Sequence, residues 1–251
     1  MIDPLALSDD GGLEGFRARA RAMAATGGLV PIWRQVLLDS VTPVTAFAAL
    51  REGPFRFLLE SAPAGSETWS RWTYFGAAPR AAWRWHQGRA AHWTPGGGWQ
   101  PETAEPDPLA ALERLLAARP VADVPGLGDL WSGALGYLGY DVVRTIERLP
   151  EPGRPPLAVP DALFVMPRVV VALDNLRAEA RCVCAVEVPA DADAATLDAC
   201  FRAGRDDLDR TIARLQHAPS LPPLAVPADA PAATGDSSLD RATFERGVDR
   251  L

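Results

Sequence analysis

A chain of 251 residues with 48% hydrophobic and 23% charged residues has the composition of a globular protein, with length for one large domain or one and a half. Its net charge of −7, with no clustered block of Lys and Arg, argues against a nucleic-acid-binding surface. No apolar run approaches the ~20 residues needed to span a bilayer, and Met1-Ile2-Asp3-Pro4 offers neither a basic n-region nor an apolar h-region. A cytoplasmic location, with no membrane and no nucleic acid as partner, is the expectation.

Leu13, Phe16, Ala20 and Met23 recur at helical spacing and stop before Gly27-Gly28, which predicts an opening amphipathic helix with Arg17, Arg19 and Arg21 on its solvated face. Residues 1–28 read as a helical extension. Val30 to Leu38 is strand-like. Thr42 then caps a short helix with Pro43 at its first position, Val44, Phe47, Ala48 and Leu50 as its apolar stripe, and Gly53 as its stop.

Phe55 to Ala62 and Trp69 to Gly76 are β-prone runs separated by a short Gly/Ser segment, so they form a hairpin. That hairpin would bring Glu60 and Ser61 near Ser70 and Arg71. A carboxylate suits an ammonium and a guanidinium suits a carboxylate, so this strand end can receive a small zwitterion. The plain alternative is a surface ion pair beside ordinary strand residues.

Ala82 to His86 and Arg89 to Trp93 flank Gln87-Gly88 as a second hairpin, its tryptophans alternating with polar residues. His86 and His92 suggest a metal pair, but with no third ligand in reach they are better read as polar strand positions. Asp107-Pro108 caps a helix whose buried face would be Leu109, Leu112, Leu115 and Leu116. The run Gly133 to Gly139 lacks the P-loop lysine and the dinucleotide spacing, so close packing explains its glycines better than a phosphate cradle does. Arg144 and Glu147 are spaced for a helical ion pair.

Leu163 to Leu173 and Glu179 to Val188 are long β-rich runs around Asp174-Asn175, a hairpin signal. Cys182 and Cys184 alternate there and share a face, and Cys200 falls in a helical pattern. With no histidine at ligand spacing, the three are small core residues. Asp191 to His217 is helical, and Pro219 to Asp236 is a Pro/Ala-rich linker. Ser237-Ser238 would cap a last helix with apolar Phe244, Val248 and Leu251, a pattern still running where the sequence stops. Hairpins interrupted by capped helices, rather than alternating βαβ units, predict an α+β fold of antiparallel sheets with helices packed outside.

Several of these stretches also carry a resemblance. Leu58-Leu59-Glu60-Ser61 with Trp69-Ser70-Arg71-Trp72-Thr73-Tyr74-Phe75-Gly76 resembles the "LLES … GRYSFIG" signature of anthranilate synthase component I. Pro43-Val44-Thr45-Ala46-Phe47 is similar to that family's "TPVSAY", and Ser132 to Arg144 to its "GG-x-VGY-x-GYD-x-VR" segment. Glu147 to Pro150 and Val159 to Ala162 follow in the family's order. The resemblance covers roughly Val30 to Val188 and only the N-terminal half of the family.

The resemblance implies a chain divided into the 1–28 extension, an α+β domain over 29–188, a helix and linker over 189–236, and the first helix of a chorismate-binding catalytic domain over 237–251. It implies that the full-length protein is a Mg²⁺-dependent lyase making anthranilate from chorismate for tryptophan biosynthesis, with a glutamine amidotransferase (component II) as partner. The metal ligands and catalytic groups would lie in the other half, so this chain alone would be inactive, and no catalytic residue is assigned to it. A tryptophan effector pocket would be built partly from Leu59, Glu60, Ser61, Ser70 and Arg71. Glu60 would meet the ammonium, and Arg71 the carboxylate or the pocket wall. The same part of 4-amino-4-deoxychorismate synthase component I, or a free-standing amino-acid-binding module, are the other readings.

Overall fold

The structure, a computed structural model, describes residues 12–51, 53–61, 71–128, 130–150, 158–223, 225 and 235–250. Two compact units divide the chain, residues 1–219 and 220–251. The first is α+β and built on two antiparallel sheets.

One sheet has five strands: β1 (Gly28–Leu37), β2 (Phe57–Glu60), β3 (Trp72–Ala77), β10 (Val169–Asp174) and β11 (Glu179–Val188), in the order β1-β11-β10-β3-β2. The other is formed by β4 (Ala81–His86), β5 (Arg89–Thr94), β6 (Gly98–Trp99), β7 (Thr103–Ala104), β8 (Leu135–Leu138) and β9 (Ala162–Met166). Its order is β6-β5-β4-β9-β8, with β7 also on β5. The run Leu163 to Leu173, expected as one strand, is two strands in different sheets. Pro167, which cannot donate to a ladder, stands at the break where the chain crosses from one sheet to the other.

Helices α1 (Leu13–Ala22), α2 (Pro43–Ala49) and α4 (Ala194–Gln216) accompany the five-stranded sheet. Phe16 of α1 and Phe201 of α4 meet with ring centroids 5.5 Å apart, over a core that includes Val30, Ile32, Phe75, Val171 and Cys182. The helix expected within an N-terminal extension therefore lays Phe16 and Ala20 into the main core. Arg17 clamps it to α4 through Asp198, at 2.9 and 2.8 Å. Gly204 lets α4 lie close on the sheet, since a Cβ there would stand 2.5 Å from Val186 Cγ2.

Local chemistry explains most element ends. The Thr42 hydroxyl accepts from Thr45 N–H at the start of α2, and Asp107 accepts from Leu109 and Ala110 N–H at the start of α3 (Pro108–Ala117). The left-handed pair Gln87 (φ 48°) and Gly88 (φ 79°) makes the tight β4–β5 reversal.

Other expectations are corrected. α2 ends at Ala49 with Leu50 as its cap, ahead of Gly53. The β2 strand begins at Phe57, because Phe55 is left-handed (φ 62°) and turns its ring onto Trp93 and Trp99 of the other sheet. Pro108 and Ala111 are the buried residues of α3. Leu112 and Leu115 flank them, while Leu109 and Leu116 are exposed. Tyr140–Thr145 is a 3₁₀ helix that ends before Glu147, so Arg144 pairs with Asp141 at 2.8 Å instead.

In the second unit, α5 (Arg241–Val248) is capped by Asp240, whose carboxylate accepts from Thr243 N–H at 2.9 Å, rather than by Ser237 or Ser238. Leu251 lies outside the described residues. Among the described residues no helix is long and apolar enough to cross a membrane.

Candidate functional site

The site begins from the antiparallel register of the five-stranded sheet. Residues opposite each other on paired strands share a face. Gln35, Arg181, Ala172, Tyr74 and Leu59 therefore form one row across all five strands, and Leu37, Glu179, Asp174 and Trp72 form the next. Both rows lie on the face away from α1 and α4. Glu60 pairs with Thr73, whose neighbour-but-one Phe75 sits in the helix-side core, so the register assigns Glu60 to the other face.

Arg71, just before β3, does not meet Glu60. Its guanidinium contacts the Asp174 carboxylate, with Nε 3.0 Å from both oxygens and Nη2 2.5 Å from Oδ2, and it stacks 5.3 Å from the Trp72 ring centre. The Asp174 side chain is 2% exposed, and it also accepts from Leu176 N–H at 3.0 Å. Burial pushes the Asp174 carboxyl up, yet the Arg71 and Leu176 hydrogen bonds outweigh it and hold the group below its ordinary range. The bond to Asp174 in turn raises Arg71 above the usual guanidinium value. The expected opposition of Glu60 and Arg71 across a tight reversal is thus replaced by a buried Arg71–Asp174 pair. Sequence spacing missed it because the partners are 103 residues apart.

Of the other expected residues, Leu59 lies half-exposed in the row beside Tyr74, and Ser61 is exposed just beyond the strand. Glu60 is exposed at the end of β2, an edge strand. Ser70 and the loop joining the two strands lie outside the described residues.

The same face holds groups that the sequence did not single out. Arg181 is 5% exposed; one of its terminal nitrogens donates to Gly126 O at 3.1 Å, while its Nε is buried without a hydrogen-bond partner among the described residues. Burial lowers its affinity for the proton, and the neighbouring Tyr74 and Glu179 oppose that shift. Tyr74 is raised by its own burial, with Arg181 opposing. A cavity of about 240 Å³ lies here, walled by Tyr74, Leu127, Leu130, Trp131, Arg181 and Val183. Leu127 and Trp131 reach it from the segment after α3, where they pack on Leu29, Trp33 and Val183. Only the alternation of β11 hinted at this wall, because Arg181 sits between residues that read as core.

The remaining motifs have structural explanations. A Cβ on Gly136 would stand 1.9 Å from Leu163 O, so the glycine run lets β8 approach β9. His92 pairs with Trp83 and His86 with Arg89. The His86 ring meets Asp161 at 3.0 Å, and the two histidines do not converge. Cys182 and Cys184 are buried among apolar neighbours, which pushes each thiol up to about 12. Among the described residues no group of three His, Cys, Asp or Glu side chains is placed to hold a metal ion.

No protein-family model matches the chain. Curated sequences do match it. Over 161 residues it is 40% identical to a protein of Mycobacterium tuberculosis H37Rv, covering 62% of this chain and 30% of that one. Over 235 residues it is 32% identical to a Pseudomonas putida protein, covering 91% and 46%. Over 149 residues it is 40% identical to a Thermus thermophilus protein, covering 59% and 30%. A solved structure from Streptococcus pneumoniae aligns with a TM-score of 0.42 at 19% identity, over 77% of this chain and 37% of that one. At that distance the superposition carries no argument about the site.

The sequence relations define the class first: the chain is a relative of one component of a multi-component synthase. Each of these proteins is named anthranilate synthase component 1 or I, and this chain is a relative of part of that protein. It spans less than half the length of the relatives it matches.

Proposed function

We propose that this chain is the N-terminal regulatory and scaffolding portion of anthranilate synthase component 1, and that the full-length protein converts chorismate to anthranilate in the cytoplasm with ammonia from a glutamine amidotransferase partner. The relation over 91% of the chain is the observation that carries this reading. The chemistry removes an enolpyruvyl group and aminates a ring, which calls for a Mg²⁺-held carboxylate and a general acid or base. The described residues offer no seat for that metal. The reading puts Mg²⁺ and the catalytic groups in the remainder of the full-length protein and expects residues 1–251 alone to be inactive.

Within this reading the polar end of β2 and β3 takes tryptophan as an effector. Glu60, exposed at the strand end, meets the ammonium, and Ser61 the polar edge. Leu59, beside Tyr74, supplies apolar contact. Arg71 completes the wall, acting there as a fixed element because Asp174 holds it, and Ser70, outside the described residues, is expected beside it from the resemblance alone. The cavity between Tyr74 and Trp131 opens on the Leu59 face of the sheet, opposite the face that carries Glu60, and is not part of this site. Effector and substrate would change each other's affinity by one reciprocal factor, typically about 5–150-fold. Calorimetry of tryptophan binding to full-length protein tests the assignment. The reading expects Glu60→Ala and Ser61→Ala to weaken binding at least about tenfold, the scale of one lost charged hydrogen bond. Unchanged affinity in both variants refutes it.

A further inference from the structure

A second cavity, of about 190 Å³, lies where the chain crosses between the two sheets, and neither the effector reading nor the catalytic chemistry uses it. Its walls include Leu29 of β1, Leu115 of α3, Met166 of β9, Ser132, and two arginines, Arg80 and Arg119. Arg80 follows Pro79 between β3 and β4, and its backbone N–H is fixed by Met166 O at 3.0 Å. Its side-chain Nε is buried and has no hydrogen-bond partner among the described residues. Arg119, just past α3, donates from its Nε to the Glu187 carboxylate at 2.9 Å.

Two guanidinium groups thus share a cavity near the Glu187 carboxylate, which bonds Arg119. Natural interiors rarely leave a buried guanidinium N–H unpaired, because the group loses its water without gaining an acceptor. Burial lowers Arg80 from its ordinary value, the like charge of Arg119 adds to the shift, and Glu187 opposes it. The missing complement is an acceptor carrying negative charge. The rest of the wall, with Leu29, Leu115, Val121 and Met166, is apolar. A bare, strongly hydrated ion would satisfy the arginines but waste that surface. An anion with a small apolar body satisfies both. The volume lies below the range of drug-sized pockets, which begins near 300 Å³.

We propose that this inter-sheet cavity is a binding site for a small organic anion, its carboxylate or phosphate held by Arg80 and Arg119 and its apolar body seated against Leu29, Leu115 and Met166. Guanidinium groups recognise both anions through paired N–H donors, so the two chemistries are separated by experiment rather than by geometry.

The test is calorimetric titration and thermal unfolding of the full-length protein with benzoate, phenyl phosphate, inorganic phosphate and the neutral analogue benzamide, at constant ionic strength. The proposal expects saturable binding and a raised Tm with benzoate or phenyl phosphate, the tighter of the two naming the anion, and neither effect with benzamide. Arg80→Met should weaken that binding about ten- to hundredfold, the loss of a charged hydrogen bond. Ser61→Ala, in the other site, should leave it unchanged. If Arg80→Met does not fold, Arg119→Met serves as the second variant, with weakened binding expected and unchanged binding contrary. Absence of saturable binding by both organic anions, tighter binding of inorganic phosphate, equal binding of benzamide, or binding indifferent to the arginine variants overturns the proposal.

Discussion

Replacing Asp174 by Asn isolates a buried charge pair at the polar end of the five-stranded sheet. The wild-type carboxylate, 2% exposed, takes three contacts from Arg71 and one from Leu176 N–H. Breaking a buried pair by removing one partner costs about 3–5 kcal/mol. Here the Arg71 side chain keeps 24% of its surface in water, and Asn retains an acceptor for Leu176 N–H, so about 2 kcal/mol is expected. In a chain of this size that lowers Tm by roughly 4–8 °C. The sign of the pH dependence follows from the direction of the shift. The folded Asp174 carboxyl is held below its ordinary value of 3.8, so its contribution is complete above that value and is lost as pH falls through the folded pKa. Urea unfolding followed by tryptophan fluorescence should show the wild type well above Asp174→Asn at pH 7, with the gap narrowing below about pH 4. A gap that is absent at pH 7, or constant down to pH 3, refutes the assignment of this pair.

Two further outcomes follow from packing. Gly136→Ala places a methyl 1.9 Å from Leu163 O and 2.7 Å from Phe164 Cα, backbone atoms that cannot swing away. Overpacking costs about 1–3 kcal/mol and here should reach the upper end, read as a lower urea midpoint at unchanged slope. Cys182 and Cys184 should resist a thiol reagent at pH 8 in the native state, their thiols being pushed up to about 12. Both should react once the protein is unfolded in urea, and rapid native labelling of either contradicts their burial.

Local signals in the sequence carried much of the fold, and long-range pairings did not. Thr42-Pro43, Asp107-Pro108 and Gln87-Gly88 announce two helix starts and a hairpin because each acts through backbone groups within three residues. The Leu163 to Leu173 run misled because hydrophobic alternation is blind to which sheet a strand joins; Pro167 was the clue that it breaks. Ser237-Ser238 looked like a cap, yet Asp240 stands three residues before the amide it accepts from. At the candidate site, Leu59, Glu60 and Ser61 were visible as a polar strand end. The partner of Arg71 was not, since Asp174 reaches it only through the β3–β10 ladder. Arg181 was hidden for the opposite reason: it is a charged residue in a strand whose apolar pattern suggests core.

Anthranilate formation by the full-length protein, assayed with rising tryptophan and compared with each variant's own uninhibited rate, tests the regulatory claim most directly. The account predicts that tryptophan inhibits the wild type and that Glu60→Ala and Ser61→Ala each require at least about tenfold more of it for the same fractional inhibition. A full-length enzyme indifferent to tryptophan, or variants inhibited as readily as the wild type, would contradict it.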